Sequence, residues 1–249
     1  MPRYRITVEY DGSPFCGWQM QDNGPSVQGA LTDALKSLSG EDVQVMGAGR
    51  TDAGVHALGQ VAHFDLSKSW NPDKIRDGLN FHLKPDPVAV LEAAEVSNEF
   101  HARFSAVKRY YTYRIICRRP PLTLERHRVW RINAPLNVDA MNEAGQALVG
   151  RHDFTTFRSV HCQSKSPVKS IDQVSVKKSG DHILIDVSAI SFLHNQVRSI
   201  AGSLKMVGEG KWSVADFKSA LDACDRSRCG PVAPPDGLYL TQVDYEERA

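Results

Sequence analysis

Gly47-Ala48-Gly49-Arg50-Thr51-Asp52-Ala53-Gly54-Val55-His56 sets a guanidinium and a carboxylate two residues apart, with a hydroxyl between them. Glycine tolerates backbone conformations that other residues avoid, and lets another chain or a ligand come close. Asp52 held on such a loop suits nucleophilic or acid–base work. The plainer reading is an Asx-turn, in which an aspartate after a strand bonds its own backbone. A turn built only to reverse the chain has no use for Arg50. Thr51 to Gly54 alone leave both readings open.

Other reactive groups are sparse. Gly47-Ala48-Gly49 is not part of a G-x-G-x-x-G that opens a helix, and there is no Walker loop. His152 and the His161-Cys162 pair lack paired ligand spacing. We therefore expect no metal site and no nucleotide cofactor. The five cysteines are widely spaced without a Cys-x-x-Cys pair, a usage that fits reduced thiols in a cytoplasm.

The elements that must carry the loop follow from periodicity. Residues 3–10 alternate Tyr4, Ile6, Val8 and Tyr10 against Arg3, Arg5, Thr7 and Glu9, a strand with one buried face. Val27, Ala30, Leu31, Ala34, Leu35 and Leu38 have helical spacing behind Ser26 as N-cap. Apolar runs at 43–46 and 61–64 flank the glycine loop. Asn71-Pro72 opens a second helix, and residues 88–96 read as a strand. The order strand, helix, strand, strand, helix, strand is the ferredoxin-like split motif.

A second pass repeats it. Residues 110–117 form a strand, and 138–149 a helix ended by Gly150. A hairpin turns at Ser179-Gly180-Asp181, followed by a helix over 194–207 with Val197, Ile200, Ala201, Leu204 and Val207 inward. Ser213 and Asp216 form a capping box, and 238–245 is a final strand. The expected class is α+β: two ferredoxin-like (RRM-like) halves, residues 1–102 and 103–249, with mainly antiparallel sheet and a catalytic cleft between them.

With 41% hydrophobic and 24% charged residues, the chain reads as soluble and globular. No apolar run approaches a membrane span, and Met1-Pro2-Arg3-Tyr4 enters a strand at once, leaving no room for a signal peptide. The formal net charge is only +1, yet residues 103–131 carry nine Lys or Arg and one acid, Glu125. Such a block reads as a surface for a polyanion. Tyr110, Tyr111, Tyr113, His127 and Trp130 interleave with the cations, as recognition of unstacked RNA bases requires. A basic strand face over core tyrosines would give the same pattern, since Tyr111 and Tyr113 share one face.

Gly-Arg-Thr-Asp-Ala-Gly-Val-His-Ala over 49–57, followed by Gln60-Val61-Ala62-His63-Phe64, resembles the catalytic motif of the TruA family of tRNA pseudouridine synthases. Glu9-Tyr10-Asp11-Gly12, Gly17-Trp18-Gln19, Phe100 to Ala106, Arg109 to Tyr113, Phe154 to Arg158, Phe192 to Arg198 and Gly237 to Leu240 follow in that family's order. The resemblance covers nearly the whole chain. It implies the pseudouridine synthase fold, a homodimer, and isomerisation of uridines 38, 39 and 40 in the tRNA anticodon stem-loop. The loop after Tyr113, with Arg118-Arg119-Pro120-Pro121, leaves the outer grip on tRNA unassigned.

The resemblance also assigns roles. Asp52 is the reacting carboxylate. It attacks C6 of the base, attacks C1′, or removes a sugar proton; the sequence does not choose among these. Arg198 is its partner, a cation that offsets the cost of burying the carboxylate. Its alternative is a helix-surface arginine beside the inward Val197. Tyr111 packs on the target uracil; without the resemblance it would read as a core aromatic. Arg50 helps displace the target nucleotide, and Leu240 packs beneath Asp52. Two rival functions fit fewer of these residues: a pseudouridine synthase with another RNA target, and a non-catalytic RNA-binding module. A two-acid glycosidase fits less well, because no second acid lies in the loop that carries Asp52.

Overall fold

The computed structural model describes residues 1–22 and 24–246. They fold as two compact units, Met1–Val107 with Tyr239–Ala249, and Lys108–Leu238.

In the first unit, β1 (Arg3–Tyr10) buries Tyr4, Ile6, Val8 and Tyr10, as the alternation predicts. Helix α1 (Val27–Ser39) starts where the Ser26 hydroxyl accepts the Gly29 N–H at 3.1 Å. It buries Val27, Leu31, Ala34 and Leu35. Ala30 and Leu38, expected inward, are only half-buried. Leu38 leans instead on the neighbouring helix, where a Cβ on Gly78 would lie 2.5 Å from its Cδ1.

Strand β2 (Met46–Gly47) is short, whereas β3 (His56–Asp65) is longer than its apolar core and is buried along most of its length. The two pair antiparallel, with Met46 opposite His63, so the glycine loop is their connection. Helix α2 (Pro72–His82) begins under the Asn71 cap with Pro72 in its first turn. Strand β4 (Val88–Val96) closes this half, and β1 lies between β3 and β4, antiparallel to both.

Strand β5 (Ala106–Cys117) enters the second unit at Lys108 and carries β6 (Trp130–Ile132) in parallel at its end. Helix α3 (Val138–Gln146) stops three residues short of expectation. Ala147, Leu148 and Val149 donate to carbonyls three residues back, so the chain tightens into turns and the α-helical ladder ends. Gly150 opens β7 (Gly150–Asp153) instead. Strands β8 (Val168–Ser179) and β9 (His182–Ala189) form the predicted hairpin. Strand β9 lies between β8 and β5, antiparallel to both.

Helix α4 (Gln196–Gly208) buries the five residues expected on its inner face. Helix α5 (Val214–Asp222) has the Ser213–Asp216 capping box. The last strand, β10 (Leu238–Tyr245), runs parallel to β3, with Tyr239 beside His56 and Leu240 beside Ala57. Both units are thus α+β, and their ladders are mainly antiparallel. Among the described residues, no helix is long and apolar enough to cross a membrane.

A buried histidine ties β3 to the loop after β4. His63 Nδ1 accepts the Ala102 N–H at 3.2 Å, so that nitrogen must be unprotonated. Burial, and then the charges of His101 and Arg3, push its pKa down to about 4. The unfolded chain takes up this proton near pH 6.5, whereas the native state resists it until about pH 4. The stability involved is therefore complete above about pH 6.5 and is lost as pH falls towards 4. Urea unfolding at pH 7 and pH 4.5 should show roughly 2 kcal/mol less acid destabilisation in His63→Asn than in the parent chain. Equal pH dependence in the two proteins would remove His63 from this account.

Candidate active site

Residues 48–55 span from β2 to β3, and backbone bonds fix both ends. The Ala48 N–H donates to the Val61 carbonyl at 2.7 Å, and the Val55 N–H to the Asp52 carbonyl at 3.1 Å. The latter bond closes a four-residue turn, with Gly54 at φ 76 in its third position. Between these ends the loop is held from beneath. The Tyr10 and Thr51 hydroxyls are 2.8 Å apart, Gln60 Nε2 donates to the Gly49 carbonyl at 2.9 Å, and the Trp18 N–H donates to the Thr51 carbonyl at 3.0 Å.

Exposure alternates along this stretch. Arg50 is exposed, Thr51 only 6% exposed, and Asp52 half-buried. The guanidinium and the carboxylate are thus offered outward while the threonine between them faces the core. A half-buried carboxylate on a braced loop can act as a nucleophile or a base. The Tyr10 phenol beneath it stays neutral. Burial pushes its pKa up to about 12, against hydrogen bonds to Thr51 and Gln60 that favour ionisation.

The strand after the loop begins with His56, which is buried. Its Nδ1 lies 3.1 Å from the Gly12 N–H and 3.3 Å from Asp11 Oδ1, and its ring stacks on Tyr239 at 4.7 Å. Leu240, the next residue on β10, is fully buried and sits in register with Ala57.

In the second unit, Tyr111 lies on β5 opposite Val187 and is half-buried. The Phe192 ring meets its ring edge-on, with centroids 5.2 Å apart. Phe192 belongs to the segment that leads into α4, whose first turn carries Arg198. Arg198 donates from Nε to the Ala233 carbonyl at 2.8 Å and from Nη1 to Asn195 Oδ1 at 3.0 Å. It is half-buried, with its guanidinium oriented by two acceptors of its own unit.

The basic block divides by burial. Arg103, Arg119, Arg126 and Arg128 are exposed, whereas Arg109 is buried and bonds the Ile190 carbonyl. Lys108 pairs with Asp172 at 3.1 Å, and Arg131 donates to the Arg119 carbonyl at 2.7 Å. Tyr113, one of the interleaved aromatics, is a core residue: it is buried and donates its hydroxyl to the Pro234 carbonyl at 2.8 Å. Burial pushes its phenol pKa far up. The sequence pattern therefore overstates the charged surface, since part of the block braces its own strands.

Arg50, Asp52 and Leu240 belong to the first unit, and Tyr111 and Arg198 to the second. Sequence reasoning placed Tyr10 in the core and missed its hydroxyl contact with Thr51. It also missed the Gln60–Gly49 bond. Alternation indicates which face a side chain takes but not which polar atom it meets. The one available signal was Gln60 itself, an amide in a strand otherwise apolar enough to be buried.

The profile of a family described as tRNA pseudouridine synthase matches residues 6–105 and 144–246. A protein of Maricaulis maris named tRNA pseudouridine synthase A is 65% identical, over 98% of each chain. Proteins of the same name from Afipia carboxidovorans and Agrobacterium fabrum are 63% and 60% identical. These alignments cover 98% and 99% of this chain, and 100% and 94% of theirs.

Proposed function

Since the chain belongs to the tRNA pseudouridine synthase family, we propose that it isomerises uridines 38, 39 and 40 of the tRNA anticodon stem-loop to pseudouridine. One observation carries this reading: the Arg50-Thr51-Asp52 loop, braced from beneath, holds a half-buried carboxylate outward. The near full-length identity with relatives named tRNA pseudouridine synthase A supports the substrate class. The nucleotide positions rest on the ordered TruA-like motifs.

The reaction breaks the N1–C1′ bond, turns the base and joins C5 to C1′, while the proton on C5 is lost and N1 gains one. Substrate and product are isomers, so the chemistry calls for no redox partner, nucleotide or metal. Asp52 supplies the carboxylate, by attack on C6, by attack on C1′ or by removal of a sugar proton. Tyr111 packs on the turned-out uracil and takes part in removing the C5 proton, with Phe192 holding its ring. Arg50 fills the gap left in the helical stack and holds phosphate, as an exposed guanidinium can. Leu240 forms the apolar floor, and Arg198 supplies the cation that partners the carboxylate.

The enzyme acts in the cytoplasm as a homodimer, each tRNA being contacted by both subunits. The test is to map pseudouridine in tRNA from cells lacking this chain, and in unmodified tRNA treated with the purified protein. Loss of pseudouridine at 38–40 in the cells, and its appearance there in vitro, is expected. Modification confined to other positions would leave the family and refute the site.

A further inference from the structure

We propose that Tyr10, Thr51 and Gln60 are positioning residues that aim the Asp52 carboxylate by anchoring its loop to two strands; this rests on the reading of Asp52 as the reacting group. Tyr10 stands on β1 and Gln60 on β3. Their bonds reach Thr51 Oγ1 at 2.8 Å and the Gly49 carbonyl at 2.9 Å, and so flank Arg50 on both sides. Tyr10, Thr51 and Gln60 are all buried, Gln60 completely.

Packing alone does not explain the choice of residues. Phe and Val would fill the places of Tyr10 and Thr51 with nearly the same shape and no polar atoms to desolvate. Replacing both partners of a buried hydrogen bond by apolar isosteres is close to neutral for stability. What the pair of hydroxyls adds is direction, since it sets the rotation of residue 51 and therefore of its neighbour 52.

The loop of residues 11–18 completes the clamp. A Cβ on Gly17 would lie 2.6 Å from the Thr51 carbonyl oxygen, and one on Gly12 only 2.0 Å from that of Val55. Backbone therefore sits directly on backbone at both ends of the reactive turn. The Trp18 N–H to the Thr51 carbonyl, at 3.0 Å, adds a second hydrogen bond to the same residue. With the side chain and the carbonyl of Thr51 both engaged, Asp52 has little freedom to swing.

The experiment compares single-turnover isomerisation, tRNA affinity and thermal unfolding for Tyr10→Phe, Thr51→Val, their double variant, Thr51→Ser and Gln60→Leu, with Asp52→Asn alongside. Misplacement of a reacting group by about 1 Å can cost about 100-fold in rate. We expect the turnover rate to fall about 10- to 100-fold in Tyr10→Phe, Thr51→Val and Gln60→Leu, with tRNA affinity within about twofold of wild type. The double variant should be no more than about threefold slower than the worse single variant, because both remove one bond. Thr51→Ser restores the hydroxyl and should recover most of the rate.

A double variant that folds and turns over at the wild-type rate, while Asp52→Asn is inactive, overturns the positioning role and spares the reading of Asp52. Rates lost only in proportion to folded protein, or only through affinity, overturn it as well. An active Asp52→Asn variant overturns the reading of Asp52 and this inference with it.

Discussion

Asp52→Asn should abolish turnover, by at least about 1,000-fold in single-turnover rate, while tRNA affinity stays within about threefold. The substitution keeps the shape and the hydrogen-bonding outline of the side chain and removes its charge. An amide is neither a competent nucleophile nor a base, so whichever of the three routes Asp52 takes fails equally. Binding should survive because the grip on a polyanion is spread over many cations, and the exposed arginines 103, 119, 126 and 128 are untouched. The bonds that hold the loop from Tyr10, Trp18 and Gln60 reach Thr51 and Gly49 and stay in place in the variant. The comparison needs pre-steady-state kinetics and a filter-binding isotherm on the same tRNA. Appreciable isomerisation by the purified variant would take Asp52 out of the mechanism and leave the loop as the simple turn that its glycines also suit.

Legibility in the sequence tracked the range of the interactions. Helix starts were readable because a cap bonds within three residues: Ser26, Asn71 and Ser213 all do what their positions predict. The split motif was readable because period-2 and period-3.6 patterns are local. The end of α3 was misplaced because Gly150 looks like a helix stop, yet the turns at 147–149 come first. The last strand was assigned by sequence order to the second half, but its ladder to β3 is a pairing between residues nearly two hundred apart. Strand pairing at that distance leaves no periodic trace. The basic block was legible as composition only, since burial decides that Arg109 serves a carbonyl and Arg126 faces solvent. Of the site, the motif itself was readable. The Tyr10–Thr51–Gln60 brace was not, because its partners come from three separate segments.

Arg198→Met should slow isomerisation at neutral pH about 100-fold, and the direction of its pH effect separates two explanations. Methionine keeps most of the stem volume and removes the cation. In the structure, Arg198 serves its own unit by bonding the Ala233 carbonyl and Asn195. If that were its whole purpose, the variant would lose stability, about 1 kcal/mol for each hydrogen bond, and would keep a wild-type pH profile per folded molecule. If its charge also supports the carboxylate, as we propose, a reacting anion loses its partner when the cation is gone, and the acidic limb of the single-turnover rate should move to higher pH. Raising the pH should recover part of the lost rate, which loss of a purely structural bond does not predict. Arg198→Lys should fall between the two proteins. It retains the charge but lacks the planar fork that can serve an amide oxygen, a carbonyl and a further acceptor together. The decisive measurement is the full profile for the three proteins, with thermal unfolding recorded alongside. An unmoved limb in Arg198→Met, together with a lowered melting temperature, would assign Arg198 to holding residues 195 and 233 and remove it from the support of Asp52.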